Sequence, residues 1–244
     1  MYAYWLHRSG PISYALIIPM MNIPRVDFKL RKDAVYLFRE TGVDTTRLCF
    51  RDEIDLAGLH DQKKLSLSLL DHHHLAESQT HLSDAVVEII DHHPPTTRIP
   101  DGVRHQIEPV GSSATLVAEK IIANRPGLLD ARLSGLLFST ILIDTVKLDT
   151  RQKKVTPKDR EIALSLHQKC RVDIDSRFNR LADLKSDISG LGADQILRKD
   201  FKALRLGQKI CGISTVPLNL ADWMKGPYDG RRSISDFARR RGLD

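Results

Sequence analysis

Twice in this chain an apolar run stops at the same triplet: residues 65–70 lead into Asp71, His72 and His73, and residues 85–90 into Asp91, His92 and His93. Two more aspartates end apolar runs, Asp52 after residues 47–50 and Asp144 after residues 133–143. Carboxylates mixed with imidazoles suit divalent ions such as Mg2+ or Mn2+, imidazole shifting the preference toward Mn2+. Two such ions about 3.5 to 4 Å apart acidify a water and clamp the oxygens of a displaced phosphoryl group. Hydrolysis of a phosphoanhydride at neutral pH needs both effects. Asp52, His72 and Asp144, flanked by Asp71 and His73, supply a donor set of this kind. Taken singly, each is ordinary: an Asp after a strand is commonly a turn residue or cap, and a solitary His commonly sits on the surface or in a satisfied core. The expectation rests on their recurrence at the ends of several apolar runs.

Such residues converge only if those runs are neighbouring strands. Short apolar runs that end in polar residues, separated by segments of helical spacing, predict an α/β domain with a mostly parallel sheet flanked by helices. The carboxyl ends of parallel strands line the ligand crevice of such sheets. Strands are expected at residues 14–18, 47–50, 65–70 and 85–90, followed by a proline-bearing loop at 94–109. Gly111, Ser112 and Ser113 then open a helix reaching residue 124. Small residues with free N–H groups at a helix start can hold an anion, although a serine there is also an ordinary N-cap. A second apolar helix over 133–143 must be buried, which puts Asp144 at the edge of the core. A charged stretch at 153–185, with a helix starting near Pro157, reads as a connection between domains. Beyond it the pattern restarts: a helix over 193–204, a turn at Gly207, a strand over 209–216, a helix over 218–224 and a basic helix from Ser233. The expected domains are 1–150, a linker at 151–186, and a smaller, incomplete α/β domain at 187–244.

Composition narrows the class. With 244 residues and 41% hydrophobic content the chain can bury a core. A net charge of +6 suits a polyanionic partner, but much of it lies in Arg231, Arg232, Arg239, Arg240 and Arg241, the pattern of a solvated helix face. Cys49, Cys170 and Cys211 are odd in number and far apart, which speaks against a disulfide framework or zinc ribbon and for a reducing, cytoplasmic setting. The apolar stretch at 14–21 contains Pro19 and is too short to span a bilayer. Nucleic acid and membrane are not expected partners.

The ordered motifs around Asp52, Asp71, Asp91, Gly111 and Asp144 resemble those of the prune-type exopolyphosphatases. That family belongs to the DHH phosphoesterases and is related to the type II inorganic pyrophosphatases. Asp187 to Leu191 and Ile196 to Lys202 are similar to the opening of the family's C-terminal domain. The resemblance implies a Mg2+- or Mn2+-dependent hydrolase of short-chain polyphosphate or pyrophosphate with a two-metal site. It further implies that Asp52 bridges the metals, that His72 and Asp144 bind the second, and that His73 contacts the substrate or leaving oxygen. Asp71 would orient the histidine pair. Gly111, Ser112, Ser113 and His93 would contact phosphate, and Lys202 would bind the distal phosphate from the second domain.

Three departures from the family pattern shape the expectation. No Asp-x-Asp segment precedes Asp52, the chain stops within the C-terminal domain, and the second triplet ends in His93 where the family usually has Arg, whose planar fork grips phosphate better. A chain truncated at both ends, with impaired activity, is therefore expected. The alternatives are a non-catalytic prune-like interaction protein, for instance one that binds nucleoside diphosphate kinase, and a cyclic-nucleotide phosphodiesterase. A structural zinc site fits less well, since no Cys lies near the histidines.

Overall fold

The computed structural model describes residues 1–10, 15–95 and 98–243. Its helices are α1 (Tyr2–Ser9), α2 (Arg25–Phe28), α3 (Lys32–Glu40), α4 (Leu56–Asp61), α5 (Ser113–Asn124), α6 (Ala131–Asp144), α7 (Pro157–Cys170), α8 (Ile174–Ser186), α9 (Ala193–Lys199), α10 (Leu220–Lys225) and α11 (Gly230–Arg241). Its strands are β1 (Met20–Met21), β2 (Cys49–Phe50), β3 (Leu67–Leu70), β4 (Val86–Asp91), β5 (Arg104–Ile107), β6 (Phe201–Leu206) and β7 (Lys209–Ser214). The chain divides into one unit made of Met1–Asn22 and Leu37–Leu181, and a second made of Ile23–Tyr36 and Ala182–Asp244. The class is α/β, as the alternation of apolar runs and helical segments predicts.

In the first unit β1 pairs with β2, and β3, β4 and β5 form a parallel ladder with β4 in the centre. The central strand is the most buried of the three, its last four residues 88–91 all buried. A strand covered on both faces reads as a continuous apolar run, and Ile89 and Ile90 supply that here. Helices α5, α6 and α7 share the core with Ile90 through Leu116, Val117, Ile121, Leu137, Phe138, Ile141, Ile162, Ala163 and Leu166. Each fully buried Leu, Ile or Phe contributes about 1.5 to 3 kcal/mol. Helix α6 is apolar on nearly every side and is capped by Asp130, whose carboxylate accepts from the Leu133 N–H at 2.8 Å. Helix α7 starts with a capping box between Thr156 and Asp159, with Pro157 in its first turn.

Several boundaries differ from the sequence expectation. Of the strand expected at 14–18, Tyr14 lies outside the described residues and 15–18 are irregular, the ladder forming instead at Met20 and Met21. The loop at 94–109 contains β5, held by main-chain pairing to β4. Helix α7, expected in a connecting segment, buries Ile162, Ala163 and Leu166 in the first core. The helix expected over 193–204 ends at Lys199, and the rest of that stretch is β6, antiparallel to β7 across a turn at Gly207 with φ of 64°. The second unit gathers Ile196, Leu197, Trp223 and Phe237 into its own small core. There Lys32 pairs with Asp187 at 2.7 Å, and the guanidinium of Arg241 lies over the rings of Phe201 and Phe237.

Candidate metal centre

Register places the two triplets side by side. Leu70 lies opposite Ile90, and the Asp71 N–H extends the ladder by donating to the Ile90 carbonyl at 2.9 Å. The strands therefore deliver Asp71 and Asp91 to the same end of the sheet, Asp71 followed by His72, His73 and His74 and Asp91 by His92 and His93. Asp71 leaves its strand with φ of 67°, a left-handed conformation that Asp tolerates better than most residues. Among the described residues, Asp71, Asp91, His92 and His93 form a group whose ligand atoms all lie within 4.8 Å of one another.

Asp91 is not free to bind a cation through either oxygen. Its carboxylate is completely buried and accepts from His73 Nδ1 through one oxygen. The other oxygen accepts from His93 Nδ1 at 2.7 Å and from the backbone N–H groups of His92 and His93 at 2.7 and 3.2 Å. Burial alone would raise its pKa, but these hydrogen bonds prevail and hold it down at about 2. The orienting part that the family resemblance gives to Asp71 is geometrically that of Asp91.

His72, His73, His92 and His93 are anchored the same way. His72 Nδ1 donates to the Leu70 carbonyl at 2.8 Å, His92 Nδ1 to the Val110 carbonyl at 2.8 Å, and His73 and His93 use Nδ1 on Asp91. An acceptor on Nδ1 fixes the ring and leaves Nε2 as the nitrogen that can face a ligand. For His92, Nε2 faces Asp71 Oδ1 at 3.2 Å. A neutral ring would turn its lone pair toward a carboxylate, so beside Asp71 the ring takes a second proton. The hydrogen bond to Asp71 is the main cause, opposed by burial and helped by the Val110 carbonyl, and it pushes the His92 pKa up to about 9. Asp71 answers in the opposite sense: burial works against the shift, while hydrogen bonds with His92 and Ser113 bring its pKa below the usual carboxylate value. A carboxylate and an Nε2 that need a positive charge between them, with Asp71 61% exposed and His92 20%, fit a divalent cation.

The other expected residues make contacts of their own. Asp144 ends α6, and its Oδ2 accepts the Ser112 hydroxyl at 2.6 Å. Ser112 is fully buried and also caps α5 by accepting from the Ala114 N–H, so its hydroxyl is committed inside the protein. Ser113 hydrogen-bonds to Asp71, and the Gly111 N–H donates to Asp159 at 2.7 Å. The His73 side chain is only 6% exposed, whereas that of His93 is 55% exposed. Asp52 stands in the exposed turn Arg51–Glu53 after β2. Asp52, His72 and Asp144 are not in the four-residue group. Lys202 lies exposed on β6 of the second unit, opposite Ile213. Sequence reasoning did not single out Asp159. Its only sequence signal is the capping-box spacing after Thr156.

The chain is similar to known proteins. Residues 179–244 match the DHHA2 domain family. Mouse exopolyphosphatase PRUNE1 is 39% identical over 214 residues, covering 86% of this chain and 47% of that protein. A Clostridium acetobutylicum protein classed as a manganese-dependent inorganic pyrophosphatase is 30% identical over 155 residues, 61% of this chain and 47% of its own length. A solved structure of a Methanococcus jannaschii protein assigned to the family II inorganic pyrophosphatases superposes with a TM-score of 0.70 at 22% identity, covering 100% of this chain and 75% of that one. Its identity is low enough that it speaks to the fold alone.

Fold, triplets and matches together define a DHH-superfamily protein. Within that superfamily the chain belongs with the prune-type exopolyphosphatases. It spans about half the length of the curated relatives it matches. No helix among the described residues is long and apolar enough to cross a membrane.

Proposed function

We propose that this chain carries the cation-binding half-site of a phosphoanhydride hydrolase acting on pyrophosphate or short inorganic polyphosphate. The observation that carries the reading is the Asp71 and His92 pair, a carboxylate and an Nε2 3.2 Å apart at the adjoining carboxyl ends of two parallel strands. The names of the relatives, an exopolyphosphatase and a manganese-dependent pyrophosphatase, support the same substrate class. In this reading Asp71 and His92 Nε2 hold a divalent cation, Mn2+ in preference to Mg2+ because of the imidazole, and Asp144 supplies a further carboxylate. Such a cation, when bound, acidifies a water and neutralises charge on phosphoryl oxygens.

The protein's own groups do the rest. With Nδ1 of His93 donating to Asp91, Nε2 of that half-exposed ring carries the lone pair and can accept a proton from an attacking water. His73, anchored to the other oxygen of Asp91, holds that carboxylate in place from below the surface. The test is phosphate release from tripolyphosphate and pyrophosphate with Mn2+ or Mg2+. Release should vanish with excess chelator and in Asp71→Asn, which keeps the shape and tolerates the left-handed backbone but loses the charge. Release unaffected by either change overturns the proposal.

A further inference from the structure

Asp159 is a fully buried carboxylate with more to do than cap a helix. A capping box needs only the Thr156 N–H, which donates to Asp159 Oδ2 at 2.8 Å, and the return bond from the Asp159 N–H to the Thr156 hydroxyl at 3.3 Å. Oδ2 also accepts the Gly111 N–H at 2.7 Å and the Thr156 hydroxyl at 2.7 Å, and Oδ1 accepts the buried Thr115 hydroxyl at 2.6 Å. Asp159 thus grips residues 111–115 at both ends. Between those grips stand Ser112, which donates to Asp144, and Ser113, which hydrogen-bonds Asp71. The loop has no slack: a Cβ on Gly111 would lie 2.2 Å from the Lys154 carbonyl oxygen and 2.6 Å from Thr145 Cγ2.

We propose that Asp159 is a positioning residue for the cation site: by fixing residues 111–115 it aims two consecutive serines at two carboxylates delivered by different elements, Asp71 from β3 and Asp144 from α6. The inference rests on the reading that these carboxylates hold a divalent cation. It assigns Ser112 and Ser113 to orienting the ligands, and it explains why a loop of small residues is tied to α7.

Mn2+ affinity, measured by titration calorimetry and by the electron paramagnetic resonance signal of free Mn2+, tests it on the full chain. Partners that orient metal ligands are each worth about 10- to 100-fold in affinity, so Asp159→Ala should weaken Mn2+ binding by that amount. Asp159→Asn should restore binding to within about threefold, because its carbonyl can accept from Gly111 and Thr156 while its NH2 donates to the Thr115 hydroxyl. Thr115→Val, which removes one grip and leaves the helix cap intact, should weaken Mn2+ binding by a smaller factor and keeps the proposal testable if Asp159→Ala does not fold. Thr156→Ala, which breaks the cap but spares the bonds to Gly111 and Thr115, should lower thermal stability and leave Mn2+ affinity within about twofold. Unchanged affinity in both Asp159→Ala and Thr115→Val overturns the proposal alone. So does a loss in Thr156→Ala equal to that in Asp159→Ala, which would make the effect one of helix stability. A parent chain that binds no Mn2+ sinks the cation reading itself.

Discussion

Replacing Asp91 with Asn tests whether a buried charge organises the triplets. Asp91 is inaccessible to solvent and is held at a pKa of about 2, against about 3.9 for an unfolded Asp. A carboxyl depressed by roughly two units contributes on the order of 2 kcal/mol at neutral pH. The sign follows from the direction: the folded pKa is the lower one, so the stabilisation is complete above about pH 4 and disappears as pH falls through about 2. At pH 3 about half remains. Asn also brings two protons where one oxygen stood. Its carbonyl will stay with the backbone N–H groups of His92 and His93, so its NH2 meets His73 Nδ1, and that buried ring must change tautomer or lose its partner. An unsatisfied buried donor costs about 1 to 3 kcal/mol. The deficit of Asp91→Asn should therefore be about 2 to 4 kcal/mol at pH 7 and clearly smaller at pH 3. Urea unfolding followed by fluorescence measures it. The chain has two tryptophans, Trp5 in the first unit and Trp223 in the second, so a Trp223→Phe background makes the signal report the unit that holds Asp91. An equal deficit at the two pH values would refute the assignment of the effect to the carboxylate's charge.

Two further substitutions probe the backbone around the same site. Gly111→Ala forces a methyl group against the Lys154 carbonyl and Thr145; chemical unfolding should show a loss of about 1 to 3 kcal/mol, and an unchanged midpoint would mean the loop has room that the geometry denies. Beyond Thr145, the C-cap of α6, Val146, Lys147 and Leu148 all have positive φ, 50°, 62° and 58°. For a β-branched residue this is strained, so Val146→Gly should raise the unfolding midpoint, by about 1 kcal/mol in stability; a destabilised variant would show that Val146 side-chain packing outweighs the strain.

The sequence makes some of this site legible and hides the rest for physical reasons. That Asp-His-His ends two strands follows from the abrupt stop of each apolar run, because burial dictates where a central strand can end. Which histidine meets which aspartate depends on strand adjacency and register, and these are long-range properties. Reading along the chain pairs Asp71 with His72 and His73, whereas the register of Leu70 with Ile90 pairs Asp71 with His92 and gives His73 to Asp91. Asp159 looks like any third residue of a capped helix until the loop at Gly111 is seen to rest on it. The overlong helix at 193–204 has a similar cause. Residues 201–204 suit helix or strand, and pairing of β6 with β7 across Gly207 decides the matter against local propensity. Strand β5 was hidden because its short, polar sequence carries little apolar signal, and its main-chain bonds to β4 define it.

The central claim is that a divalent cation binds through Nε2 of His92 beside the Asp71 carboxylate, and pulsed electron paramagnetic resonance of bound Mn2+ addresses it directly. The parent should show nitrogen modulation from a coordinated imidazole, lost in His92→Gln and retained in His72→Gln. Modulation that survives His92→Gln and disappears in His72→Gln would place the cation on the first triplet and contradict the account.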